Sequence, residues 1–426
     1  MMDGSGMRDG GLGDGLDAGW RHRVATTTNT RPMASPTPIL DREAPLPPLD
    51  RPFAERTFVW LAISMAMSIA AVVMISRFAP SIRHWLFAQV PLWFPGPVTF
   101  ARMVWLVVVA WAVTFATVAI HEGGHALAGL AAGFRFHMMR VSFVQIQRPF
   151  RLGRYRGPGS WSGGLVSMSP GGKLSRLRGA IFVLGGPLAN FATAAVALAL
   201  PTTGPARLLC CFFAIVSIAV PLSDLVPYRS SVGESDGRRL WALFTNRQRG
   251  ERFLALLRLD AELRAGTPPE SLSEDAVAKA VALRDRSVET VTAHAIAYAR
   301  AFHQGRDEDA ARLLEICLLD SRYSSPHLRG ALMSDAATFQ GRRRGRADLA
   351  EQWLADMPAT IQPPWLRWRA EAAVLGARGD VTGALAKLDE VERAIACLHG
   401  LEGRRLTLEK ALQTWRSELA GAAARG

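Results

Sequence analysis

The sequence predicts an all-α polytopic membrane protein of about four transmembrane helices, with a small β element in one connecting link and a soluble α-helical domain at its C-terminal end. Long apolar runs are confined to residues 57–226, and one connection between them is strongly basic. Beyond residue 246 those runs stop, and Ala, Leu, Arg and Glu recur at helical spacing. At 426 residues the chain exceeds one ordinary domain. The shifts in composition divide it into a tail (1–56), a membrane-embedded part (57–245) and a helical part (246–426).

The tail is rich in Gly, Pro, Thr and Asp and is expected to be disordered and to contain no secretory leader. A crossing needs roughly 20 apolar residues. Four stretches supply them: about Thr57 to Ser76, Met103 to Ala132, Ala180 to Leu200 and Leu208 to Val226. The turn from Pro201 to Pro205 is too short for anything but a hairpin, so the last two helices are expected to be antiparallel neighbours.

Between the second and third runs, residues 133–179 carry Arg135, Arg140, Arg148, Arg151, Arg154, Arg156, Lys173, Arg176 and Arg178 and no acidic residue. Such a link is retained in the cytoplasm, which with four crossings places both termini there. Within it, Arg140 to Gln147 (RVSFVQIQ) has the β-branched and aromatic content of a strand, and nearby glycines break the chain into short pieces, so a small sheet or hairpin is expected. The net charge of +13 suits a membrane surface, since no nucleic-acid motif accompanies it. Cys210, Cys211, Cys317 and Cys397 have no metal or redox spacing and read as small core residues.

In the helical part, Gly305, Gly345 and Gly379 are each followed five residues later by alanine (Ala310, Ala350, Ala384), and four residues after that by leucine (Leu314, Leu354, Leu388). This is the pattern of tetratricopeptide-type helical hairpins, in which glycine ends one helix and alanine lets its partner approach; Trp368 stands at an aromatic position of that repeat. An irregular helical bundle is the alternative. A protein partner is expected on this surface.

The chemistry concentrates in His121-Glu122-Gly123-Gly124-His125. Residues four apart share one helix face and can present two imidazoles to one metal, with a carboxylate beside a metal-bound water. Zinc with three protein ligands brings that water's pKa to about 7, and ionisable groups inside a spanning segment are costly enough to imply function. The Gly185-Gly186-Pro187-Leu188-Ala189-Asn190 stretch puts a flexible, kinked backbone and one amide inside the third apolar run. Pro221 to Pro227 and then Ser235-Asp236-Gly237 place carboxylates at the end of the fourth.

In this order on successive apolar helices, these motifs resemble the site-2 protease family of intramembrane zinc metalloproteases, over about residues 103–245. The resemblance implies that His121, His125 and Asp236 bind Zn2+, that Glu122 is the general base, and that Asn190 orients substrate or stabilises an oxyanion. It implies a membrane protein as substrate. Asp224 stands where the family often has asparagine, which suggests a supporting partner to a ligating histidine. The rival readings are a non-catalytic membrane anchor for a helical scaffold, disfavoured by the intact Glu122, and zinc transport, for which the adjacent base has no use.

Overall fold

The computed structural model describes residues 37–49, 99–148, 151–154, 163–172, 174–230, 233–359, 363–396 and 402–424. The expected span from Thr57 to Ser76 lies outside the described residues, as does Cys397. Among the described residues three helices are long and apolar enough to cross a membrane: α1 (Phe100–Ala131), α2 (Arg176–Ala199) and α3 (Gly204–Leu225). Each has ends fixed by local chemistry. Thr99 caps α1 by accepting from Arg102 N at 3.4 Å, and Gly133 closes it with φ +82°. Ser175 caps α2; α2 and α3 end at Ala199 and Leu225, and the residues that follow, Leu200 and Val226, are extended because a proline (Pro201, Pro227) disfavours helical geometry in its predecessor.

The Gly185-Gly186-Pro187 stretch, expected to give a flexible, kinked backbone, lies inside α2, which runs through it without interruption. The glycines serve close approach instead. A Cβ on Gly124 would lie 2.3 Å from Gly185 O, and one on Gly185 would lie 2.4 Å from Gly124 O, so α1 and α2 touch backbone to backbone. Thr117 and Ser217 hydroxyls, 3.3 Å apart, join α1 to α3.

The basic link folds into four antiparallel strands, β1 (Phe134–Val141), β2 (Val144–Gln147), β3 (Arg151–Arg154) and β4 (Gly164–Pro170), in the order β3-β2-β1-β4. Arg140 to Gln147 is thus a hairpin rather than one strand. Ser142 adopts φ +52° at its turn, and Val141 pairs with Val144. β1 and β4 pair from Phe134 with Pro170 to Val141 with Gly164. Ala132, Phe134 and Met168 bury against Phe182 and Val183 of α2, which fastens the sheet to the membrane helices.

After a two-stranded hairpin, β5 (Arg229–Ser230) and β6 (Gly233–Glu234), the chain is helical: α4 (Asp236–Thr245), α5 (Arg247–Arg264), α6 (Glu274–Val281), α7 (Val288–His303), α8 (Asp307–Asp320), α9 (Pro326–Arg342), α10 (Ala347–Asp356), α11 (Trp365–Ala377), α12 (Val381–Ala396) and α13 (Glu402–Ala423). Gly305, Gly345 and Gly379 follow α7, α9 and α11 with φ +70°, +63° and +82°. Ala310, Ala350 and Ala384 are fully buried in the helices that come next. Glycine supplies the left-handed turn and alanine the close contact.

Within the segment read as a disordered tail, residues 37–46 are seated on these helices. Leu40 is fully buried, and Ala44 and Leu46 pack against the core around Leu314, Phe339 and Trp353.

The helix contact yields a test. Gly124→Ala or Gly185→Ala should destabilise the purified chain by about 1–3 kcal/mol through overpacking. Gly123→Ala, whose added carbon meets nothing within 4 Å, should be neutral or stabilising by up to about 1 kcal/mol. Equal thermal shifts in detergent for Gly123→Ala and Gly124→Ala would refute the contact.

Candidate metal centre

Helix α1 carries His121 and His125 one turn apart, with their Nε2 atoms 3.1 Å from each other. Asp236 begins α4 and is aimed by its neighbour Ser235, whose Oγ donates to Val226 O at 2.8 Å and accepts from Arg238 N at 3.3 Å. That cap brings Asp236 Oδ2 to 2.9 Å from His125 Nε2 and 3.4 Å from His121 Nε2. All three side chains are buried, and their ligand atoms form a group able to hold a metal ion. Donors arranged tetrahedrally at about 2.0–2.1 Å around zinc stand roughly 3.3 Å from one another, close to the three separations found. Asp236 Oδ2 is buried and makes no hydrogen bond despite the nearby ring nitrogens, a debt that a shared cation settles. The residues present fit zinc.

The surroundings fix the rings. His125 Nδ1 lies 2.9 Å from Phe182 O, and a carbonyl can only accept, so the proton sits on Nδ1 and the Nε2 lone pair faces the centre. Gly186 N, at 3.3 Å from the same Nδ1, is the longer contact. Asn190 is fully buried, with Nδ2 3.3 Å from His121 Nδ1 and Oδ1 unpaired. Turning the carboxamide over lets His121 Nδ1–H donate to Oδ1, which satisfies both groups and frees Nε2. Gly186 makes room for the rings: a Cβ there would lie 2.4 Å from His125 Nε2.

Glu122 is buried beside β4, and a Cβ on Gly164 would come within 2.3 Å of its Oε1. Among the described residues β4 is an edge strand, and the carboxylate stands where that edge begins. Asp224 Oδ2 approaches His121 Nε2 at 3.5 Å; its side chain is 26% exposed, against 6% for Asp236. Asp236 reaches both histidines and Asp224 only one.

Residues 97–231 match the protein-family model described as Peptidase M50B-like. That stretch is an M50B-like metallopeptidase domain of the site-2 protease family. No curated protein and no solved structure matches the chain. The M50B-like match includes His121, Glu122, His125, Asn190 and Asp224 but stops short of Asp236. The third buried donor therefore joins the M50B-like site through geometry alone.

Beyond that domain, the hairpin that delivers Asp236 is held by groups the sequence did not single out. Arg229 pairs with Asp285 and, at 3.4 Å, with Glu234. The buried Arg252 of α5 reaches Asp285 at 2.8 Å and Glu234 at 3.8 Å, and Glu234 N donates to Glu289 Oε1 of α7 at 3.1 Å. Burial opposes ionisation of Asp285, but hydrogen bonds from Arg252 and Ser287 and the charges of Arg252 and Arg229 outweigh it and hold the carboxyl well below the usual range. No spacing signals this network, because its members are scattered among many solvated charges. The Phe182 carbonyl, a backbone group, has no sequence signal either.

Removing Arg252 strands buried carboxylates, and Arg252→Met should cost roughly 3–5 kcal/mol. Arg369→Met removes a partner of Asp335 on helices that do not carry the hairpin. In competition with a chromophoric chelator, zinc affinity should fall at least tenfold in Arg252→Met and hold in Arg369→Met. An equal fall in both would show that the hairpin is not the link.

Proposed function

We propose that the chain is an intramembrane zinc metalloprotease that hydrolyses a peptide bond in or near a transmembrane segment of a membrane protein substrate. The observation that carries this reading is the convergence of two imidazole nitrogens and a carboxylate oxygen at zinc-ligand spacing, two of them on an apolar helix long enough to span a bilayer. In it, His121, His125 and Asp236 hold the metal. Zinc bound there supplies Lewis acidity, which makes water a nucleophile near neutral pH and polarises a carbonyl. Glu122 takes the proton of the attacking water and returns it to the leaving amine. Asn190 faces His121 rather than an open position, so its role is to orient that ring. Asp224, nearer solvent and close to one histidine only, supports the site without ligating.

A helical substrate hides its carbonyls in internal hydrogen bonds and must unwind before attack. The unwound segment can add to the edge of β4, which among the described residues has no strand beyond it and starts beside Glu122. The helices after residue 246 face the cytoplasm in this reading, since the basic link favours that side. A reporter fused at Gly426 and active only outside the cytoplasm would overturn that orientation. The rival reading, a non-catalytic anchor for a helical scaffold, leaves Glu122 and the complete donor set without a purpose.

One experiment on purified variants tests the mechanism. Glu122→Gln should keep one zinc per chain and lose cleavage by roughly 10²–10⁴-fold; a photo-crosslinker at the exposed Leu165 of that variant should capture substrate. Asp236→Ala should lose zinc and activity together, and Asp224→Asn should keep zinc with partial activity. Normal cleavage by zinc-loaded Glu122→Gln removes the mechanism; zinc lost from Asp224→Asn but kept in Asp236→Ala reverses the ligand assignment.

A further inference from the structure

Residues 37–44 (Thr-Pro-Ile-Leu-Asp-Arg-Glu-Ala) form one compact turn. Asp41 N donates to Thr37 O at 2.9 Å, Ala44 N to Pro38 O at 2.9 Å, and Thr37 Oγ1 to Asp41 Oδ2 at 2.6 Å. The turn sits in a groove made by α8, α9 and α10, and those helices read its backbone with side chains. Glu315 of α8 accepts from Ile39 N at 3.1 Å and Leu40 N at 2.8 Å. Leu40 O accepts from Gln340 Nε2 of α9 at 2.8 Å and from Trp353 Nε1 of α10 at 3.1 Å. Asp41 Oδ1 accepts from Gln340 at 2.9 Å and pairs with Arg344. Arg42 lies 4.1 Å over the Trp353 ring and pairs with Asp356.

Gln340 and Trp353 are fully buried, and Glu315 forms no ion pair among the described residues. The turn supplies partners to Gln340 Nε2, Trp353 Nε1 and the Glu315 carboxylate, while Gln340 Oε1 has none among the described residues. An occupant that filled the groove without matching these groups would leave them desolvated and unpaired, which is costly. The groove is therefore shaped for a ligand: two adjacent amides, one carbonyl, a fully enclosed leucine, an aspartate and an arginine stacked on an indole. All of these come from eight consecutive residues, so the recognised unit is a linear peptide that another protein can carry.

We infer that the α8–α10 groove is a recognition site for a linear motif of the class Thr-Pro-apolar-Leu-Asp-Arg, that residues 37–44 are its resident ligand, and that a partner protein displaying such a turn competes for it in trans. This goes beyond the proteolytic reading and does not rest on it. Exchange needs no new chemistry, because an incoming motif restores each hydrogen bond that the resident one gives up.

The test uses the full-length chain with Leu40→Asp, which puts a charge into the enclosed leucine position and unseats the resident turn. A fluorescein-labelled synthetic peptide of residues 36–46 should bind this chain saturably and bind the native chain at least tenfold more weakly. Alanine in place of the peptide's Leu40 should weaken binding roughly tenfold or more, and Glu315→Ala in the Leu40→Asp chain should abolish it. Failure of a Leu40→Asp chain with native helical circular dichroism to bind the peptide, or equal binding of a scrambled peptide, overturns the proposal. Should Leu40→Asp not fold, Arg42→Glu loosens only the rim of the groove and should bind the labelled peptide more tightly than the native chain; no gain there also overturns it. A native chain that forms dimers by exchanging residues 37–44 would identify a second copy, not a partner, as the occupant.

Discussion

Everything at the candidate metal centre depends on α1 and α2 meeting without side chains between them. The approach at Gly124 and Gly185 sets α2 close enough for the Phe182 carbonyl to accept a hydrogen bond from His125 Nδ1 and for Asn190 to meet His121. It also places Gly186 where any larger residue would fill the space of the rings. In a bilayer no hydrophobic force drives helices together, so contact at small residues and interhelical hydrogen bonds have to do so. The same glycines therefore hold the helices together and orient the histidines.

The third donor arrives from a different structural regime. Asp236 lies past the end of α3, on a short hairpin whose charged groups are fastened to α5 and α7. The histidines are fixed by backbone contact in an apolar setting, and the carboxylate by a buried ion network in the helices that follow. Those helices are consequently part of what sets the geometry around His121 and His125.

Features determined by local periodicity were legible in the sequence. The four-residue spacing of His121 and His125 requires only helical geometry, and the glycine-to-alanine intervals at 305, 345 and 379 mark helix ends and close packing in one chain direction. The small sheet was visible in outline, but its hairpin at Ser142 was not, because nothing in serine advertises φ +52°. Pro187 sits inside α2 without ending it. What stayed hidden was non-local. The Arg252 network and the seating of Leu40 about 275 residues away from Glu315 along the chain join segments whose individual composition is ordinary.

The seated turn also bears on how the chain threads the bilayer. Residues 37–44 and α8–α10 touch, so they occupy one side of the membrane, and an even number of passages must separate them. Among the described residues α1, α2 and α3 supply three candidate passages, a number that alone would strand the turn opposite the groove that encloses it. A single buried leucine thus sets a parity that any count of passages between Ala44 and Asp307 has to meet.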